Sequence, residues 1–117
     1  MNLVRMSPEE HDRRLADVSH LPHALAAALV SMQDEASLRL AGKGFLDTTR
    51  IAGGDAGLWR DIFVDNRDNL SDSIRQVQGH LERLLNCLDS GDPEAVTAWL
   101  DAAAARRRAM NDRRVGA

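Results

Sequence analysis

A chain of 117 residues accommodates one ordinary domain and removes roughly two-thirds of its unfolded surface from water, so no second domain fits within it. Tyr is absent, aromatic residues make up 3%, and the helix formers Ala, Leu and Arg are abundant, which favours helices and argues against an all-β fold. A net charge of -3 with interspersed signs offers no field for a nucleic-acid backbone, the single Cys87 excludes an intrachain disulfide, and no apolar run reaches membrane-span length, so a soluble cytoplasmic protein is expected.

Met1 to Met6 form a short uncapped lead, and Ser7-Pro8-Glu9-Glu10 then combines an N-cap, a proline at the first helical position and a glutamate at the capping-box position. The helix that begins at Pro8 carries Leu15, Val18, Leu21, Leu25, Leu29, Met32 and Ala36 at helical spacing, which predicts one buried stripe. Pro22 removes a backbone donor within that run and predicts a kink or break between His20 and His23. Gly42 and Gly44 are expected to end the helix, and Lys43 through Gly54 reads as a loop or a short turn of helix.

Asp55 caps the next predicted helix, Leu58-Trp59-Arg60-Asp61-Ile62-Phe63. Beyond Asn66, the series Leu70, Ile74, Val77, Leu81, Leu84 and Leu88 is the cleanest heptad of the chain and marks a long helix whose seam is suited to a partner. Gly91 follows it, and Asp92-Pro93-Glu94 starts a last helix with Val96, Trp99, Leu100, Ala103 and Met110. The tail after Asn111 is expected to fray. Together these elements predict an all-α helical bundle.

Two clusters can carry chemistry. Ser19-His20-Leu21-Pro22-His23 places two imidazoles on one helix face if Pro22 only kinks it, able to grip an anion or a metal; as plain structure they are surface or satisfied core histidines. In Asp47-Thr48-Thr49-Arg50, between glycine-rich flanks, the guanidinium can form a planar fork for a carboxylate, with Asp47 orienting it. The plain alternative is a cap by Asp47 or Thr48 and a solvated Arg50. Trp59 fits a core position, and the Arg106-Arg107-Arg108 run complements a helix dipole.

Ser7-Pro8-Glu9-Glu10-His11-Asp12, Ser19-His20-Leu21-Pro22-His23, Gly42 through Ala52 and Leu58-Trp59-Arg60-Asp61-Ile62-Phe63, taken in order and spacing, resemble the C-terminal domain of the prephenate dehydrogenase family, over Leu3 to about Ala105. The resemblance implies a helical, dimer-forming domain similar to the C-terminal helical domain of 6-phosphogluconate dehydrogenase, intertwined with a second copy and closing a cleft against a preceding Rossmann domain. It implies oxidative decarboxylation of prephenate to 4-hydroxyphenylpyruvate with NAD or NADP as cofactor in the complete enzyme, in tyrosine biosynthesis.

By position, Arg50 would hold a substrate carboxylate, His23 and His20 would line the pocket, and Asp47 and Trp59 would shape it. Lys43 stands where the family usually has a glycine. No GxGxxG follows a predicted strand, so the cofactor would bind a Rossmann partner and no catalytic residue is expected in this chain. Residues 1–6, with Leu3-Val4-Arg5 resembling the end of a last strand, read as the remnant of that domain, 7–112 as the helical domain and 113–117 as a frayed tail. The resemblance thus implies a homodimer that takes a prephenate-like carboxylate. A non-catalytic dimeric module that binds an aromatic acid or a protein, and a metal-binding bundle built on His20 and His23, are the competing readings.

Overall fold

The structure, a computed structural model, describes residues 5–115, and their side chains through Asn111; the proposed strand remnant at Leu3-Val4 and the last two residues lie outside this range. The described residues form helices joined by short turns, with no strand among them. They are α1 (Pro8–Leu15), a π-helical turn (Ala16–His20), α2 (Leu21–Ser31), α3 (Glu35–Arg39), α4 (Lys43–Thr49), a 3-10 turn (Arg50–Gly53), α5 (Ala56–Asp65), α6 (Arg67–Ser90) and α7 (Pro93–Val115). The all-α expectation holds.

The helix starts follow their caps. Ser7 Oγ accepts the Glu10 amide at 3.1 Å and Pro8 opens α1. Glu10 does not complete the capping box: its carboxylate accepts from Arg14 at 2.7 Å, which, with the nearby Arg14 charge, holds the carboxyl below its ordinary value. Asp55 accepts the Gly57 amide at 2.9 Å, and Asp92 accepts that of Glu94 at 3.0 Å. Gly91 ends α6 with φ 71°, a left-handed conformation that glycine adopts without a Cβ clash.

One expectation is narrowed and another corrected. Of the kink or break expected at Pro22, the break does not occur, and the helix runs on through the proline. With no amide at Pro22 the Val18 carbonyl has no donor four residues on, and the chain takes up an extra residue in a π turn in which the Leu21 amide bonds to the Ala16 carbonyl. Nor does the long helix run to the glycines: α2 stops at Ser31, and Asp34 caps α3 by accepting the Ser37 amide at 2.8 Å. Gly42 is the N-cap of α4 and Gly44 lies within it, so of the two forms expected for Lys43 to Gly54, Lys43 to Thr49 takes the short helix.

The π turn also changes which face is buried. Ala16, His20, His23 and Ala26 are buried, whereas Val18, Leu25 and Met32 of the predicted stripe are exposed, Val18 at 73%. An extra residue per turn rotates the preceding helix about its axis, so a stripe drawn at uniform helical spacing cannot stay on one face across it.

The described chain divides into two compact units, Met6–Ile74 and the segment from Arg75 on, with α6 running through the boundary. In the first, α2 packs against the π turn, α4 and the 3-10 turn. Its buried residues are Ala16, Ala26 and Leu70 together with the polar His20, His23, Thr49 and Ser73. Ser73 hydroxyl donates to Asp17 at 2.5 Å, and Thr49 hydroxyl to the Phe45 carbonyl at 2.7 Å, so both buried hydroxyls are satisfied.

The second unit pairs the end of α6 with α7, and the Trp99 indole N–H donates to the His80 carbonyl at 3.2 Å. A cavity of about 550 Å³ lies beside this bond, lined by His80, Arg83, Trp99, Arg106 and Met110 among others. No residue from Arg75 through Asn111 is fully buried. Of the heptad, Leu70 is buried and Ile74, Val77 and Leu84 are half-buried, while Leu81 and Leu88 are exposed. Leu85 and Leu100 are exposed as well. The helix continues to Val115, past Asn111.

Candidate functional site

Two histidines singled out by sequence converge on the indole of a third such residue, Trp59. His23, from the first turn of α2, stacks on Trp59 of α5 with ring centroids 3.9 Å apart and planes 18° from parallel. His20, at the end of the π turn, meets the same indole edge-on at 6.4 Å and 81°. Phe63, one turn beyond Trp59, completes the cluster with edge contacts of 6.0 Å to both Trp59 and His23. Offset and T-shaped ring pairs of this kind are each worth about 0.5–1.5 kcal/mol beyond their burial.

Both imidazoles are nearly enclosed, with His20 at 8% and His23 at 6% exposure. His23 Nδ1 is buried without a hydrogen-bond partner among the described residues. Such an orphaned atom costs roughly 1–3 kcal/mol, and native structures keep one where another requirement prevails. No group of three metal-ligating side chains occurs among the described residues.

Arg50 is exposed at the start of the 3-10 turn, and its guanidinium has no hydrogen-bond or ion-pair partner among the described residues. The turn that carries it is fixed on two sides. It packs against α2, and at its end the Gly54 amide closes on the Ile51 carbonyl at 3.1 Å. A Cβ at Gly54 would lie 3.2 Å from the Trp59 indole nitrogen, so the missing side chain lets the end of the turn press against the ring.

Asp47 does not orient Arg50 as expected. It accepts from Lys43 Nζ at 2.5 Å, one turn earlier on α4, and both side chains of this pair are largely exposed. Lys43 likewise sits on the outside of α4 in that pair.

The residue that sequence reading passed over is Asn66, treated there only as a boundary between helices. Its side-chain amide donates to the Asp12 carbonyl at 2.7 Å, lies 3.3 Å from His20 Nδ1, and accepts from Asn69 at 2.9 Å. A cavity of about 210 Å³ beside it is lined by Asp12, His20, Ile62, Asp65 and Asn66. The available signal was an asparagine at a helix-to-helix junction, a position where that side chain favours bonding to nearby backbone.

The arrangement is an aromatic and imidazole cluster next to a rigid turn bearing an unpaired guanidinium. Over residues 7–102 the chain matches the family described as prephenate dehydrogenase, dimerization domain. The chain belongs to this family. It is 32% identical to the prephenate dehydrogenase of Bacillus subtilis, aligned over 99% of this chain and 33% of that protein. The cyclohexadienyl dehydrogenase of Zymomonas mobilis is 34% identical over 74% of this chain and 32% of its own length. The chain therefore spans about a third of the curated relatives it matches and corresponds to their dimerisation domain.

Among solved structures, prephenate dehydrogenase from A. aeolicus, in complex with hydroxyphenyl propionate and NAD+, superposes with a TM-score of 0.81 at 37% identity, over 90% of this chain and 39% of that one. Synechocystis arogenate dehydrogenase, at 24% identity, shares the fold with a TM-score of 0.83 over 94% of this chain and 42% of its own. No helix among the described residues is long and apolar enough to cross a membrane.

Proposed function

We propose that this chain is the substrate-binding and dimerisation half of a prephenate dehydrogenase-type oxidoreductase, whose reaction oxidises and decarboxylates prephenate to 4-hydroxyphenylpyruvate in the cytoplasm. The observation that carries this reading is Arg50. An unpaired guanidinium on a turn held against α2 and Trp59 can make a planar, two-pronged contact with a carboxylate, and no competing internal ion pair has to be broken.

His23 and His20 would border the same ligand with Trp59 as their floor, which gives an aromatic or cyclohexadienyl ring an apolar surface next to the carboxylate fork. The A. aeolicus relative is described in complex with hydroxyphenyl propionate, an aromatic carboxylate of that shape. Asp47, paired with Lys43, would act indirectly by stiffening α4 ahead of Arg50.

The NAD+ named for the same relative does not fit the residues present here, because no described strand leads into a glycine-rich turn. We therefore assign the dinucleotide to a separate Rossmann domain corresponding to the rest of the relatives' length, and derive from this chain only the binding and orientation of substrate. Residues 7–112 would form the helical domain that such a domain closes upon. Thermal stabilisation by prephenate tests the reading: a shift in the parent chain that disappears in Arg50→Ala supports it, and a shift retained in Arg50→Ala contradicts it.

A second copy of the chain is the partner that the exposed apolar residues favour. Leu81, Leu85, Leu88 and Leu100 are each about half exposed or more, in a unit without a buried core of its own. The same observation would serve a non-catalytic dimer that binds an aromatic acid or a protein, which differs in yielding no dehydrogenase activity when a Rossmann domain is supplied.

A further inference from the structure

Asn66 closes the junction between α5 and α6, where its main-chain carbonyl accepts the Leu70 amide at 2.9 Å. Which end of its side-chain amide faces which neighbour follows from chemistry. The Asp12 main-chain oxygen can only accept, so the group 2.7 Å away from it must be the amide nitrogen, and Oδ1 is left to accept from Asn69.

The same nitrogen lies 3.3 Å from His20 Nδ1. Its second hydrogen is directed to an acceptor, and a neutral imidazole accepts only through the nitrogen that carries no proton. Nδ1 is then the bare nitrogen, and the proton resides on Nε2, on the ring edge away from Asn66. Nε2 has no hydrogen-bond partner among the described residues, so no internal acceptor competes for this donor.

We infer that Asn66 is a positioning residue that holds His20 as the neutral Nε2–H tautomer, so that the ring offers a donor to an oxygen of the carboxylate ligand. The inference rests on the substrate reading for its ligand, but the tautomer stands on the Asp12, Asn66 and Asn69 geometry alone. The other groups facing His20 are the Trp59 ring and the carboxylates of Asp12 and Asp65 at the cavity, while Asp17, on the same turn, is engaged by Ser73. Those carboxylates set the general charge around the ring. The amide donor decides which nitrogen bears the proton.

Long-range proton–nitrogen NMR of the histidine-labelled chain, at a pH well above the ordinary imidazole value of about 6.5, reads the tautomer directly. The expected result is an Nε2–H pattern for His20. Asn66→Asp, of nearly the same shape but able only to accept, should move the proton to Nδ1, and Asn66→Ala should draw both nitrogen shifts toward an average. His23, with no such donor at Nδ1, should keep its shifts and so reports that each variant is folded. An Nδ1–H pattern in the parent chain, or unchanged His20 shifts in folded Asn66→Asp, would overturn the inference.

Prephenate titration of the chain joined by a relative's Rossmann domain then separates the two levels. Asn66→Asp should weaken binding roughly tenfold or more, the worth of a hydrogen bond to a charged group. Unchanged affinity in that variant, with binding still dependent on Arg50, would refute the positioning role and leave the substrate reading intact. A parent chain that ignores prephenate would refute the substrate reading and leave the tautomer to the NMR result.

Discussion

The stack of His23 on Trp59 should be measurable as a coupling energy. Replacing Trp59 by Ala removes a half-buried indole that contacts two imidazoles and Phe63. Full burial would cost about 3–5 kcal/mol, and partial exposure lowers this to about 3. His23→Ala loses the same stack, at 3.9 Å, but also removes the orphaned Nδ1, so its net cost should be smaller, about 1 kcal/mol. In the double variant the stack is counted once, which predicts a coupling of about 1 kcal/mol. Urea unfolding of the four proteins at one concentration provides the cycle, and stabilities of order 0.05–0.15 kcal/mol per residue leave room for both losses. A coupling below about 0.3 kcal/mol would mean that the two rings are neighbours without energetic consequence, and the cluster would lose its claim to be a rigid floor.

Gly54→Ala should destabilise the chain by about 1 kcal/mol despite its favourable effect on the unfolded state, because the new Cβ would sit 3.2 Å from the Trp59 nitrogen and 3.3 Å from the Ile51 carbonyl. An unchanged melting temperature would show that the ring yields freely. In acid, the Glu10 and Asp34 carboxyls, held below their ordinary 4.5 and 3.8 by Arg14 and by the Ser37 amide respectively, contribute stability that is present above those values and is lost as pH falls through the lower folded ones. Asp34→Asn should therefore differ from the parent at neutral pH and converge with it in acid, as followed by urea midpoints; a gap that widens on acidification would contradict this. Leu88→Glu, at an exposed α6 position, should lower the solution mass from dimer to monomer in light scattering while leaving helicity unchanged. An unchanged dimer would place the interface elsewhere.

Local chemistry carried much of the fold into the sequence. The caps at Ser7, Asp55 and Asp92 and the left-handed Gly91 depend on neighbours within a few residues, and all are found where the pattern implied. The π turn was less legible. Pro22 signalled a disturbance, but whether a helix breaks, kinks or takes up an extra residue depends on what its faces touch, and here Asp17 bonds Ser73 and His20 meets Asn66, both from distant sequence. That register places the histidines inside and Val18 outside, the reverse of what an apolar stripe implies.

The candidate site divides along the same line. His20, His23 and Trp59 were named from motifs and do meet in space. Asp47 was assigned to Arg50 by proximity in sequence, but its spacing of one helical turn from Lys43 offered a nearer cation once α4 formed. Asn66 signalled only a side chain suited to bonding nearby backbone at a helix junction, because its actual partners are a carbonyl on α1 and a ring on the π turn, both distant in sequence.

The central claim is that this chain supplies the substrate half of a dehydrogenase. The direct measurement is formation of reduced cofactor from prephenate and NAD+ when the chain is mixed with the isolated Rossmann domain of a relative such as that of Bacillus subtilis. Turnover that requires both components and falls by roughly a hundredfold or more in Arg50→Ala, the loss of a charged two-pronged contact, is the predicted result. A Rossmann domain that binds the chain yet yields no reduced cofactor, or a rate indifferent to Arg50, would contradict it.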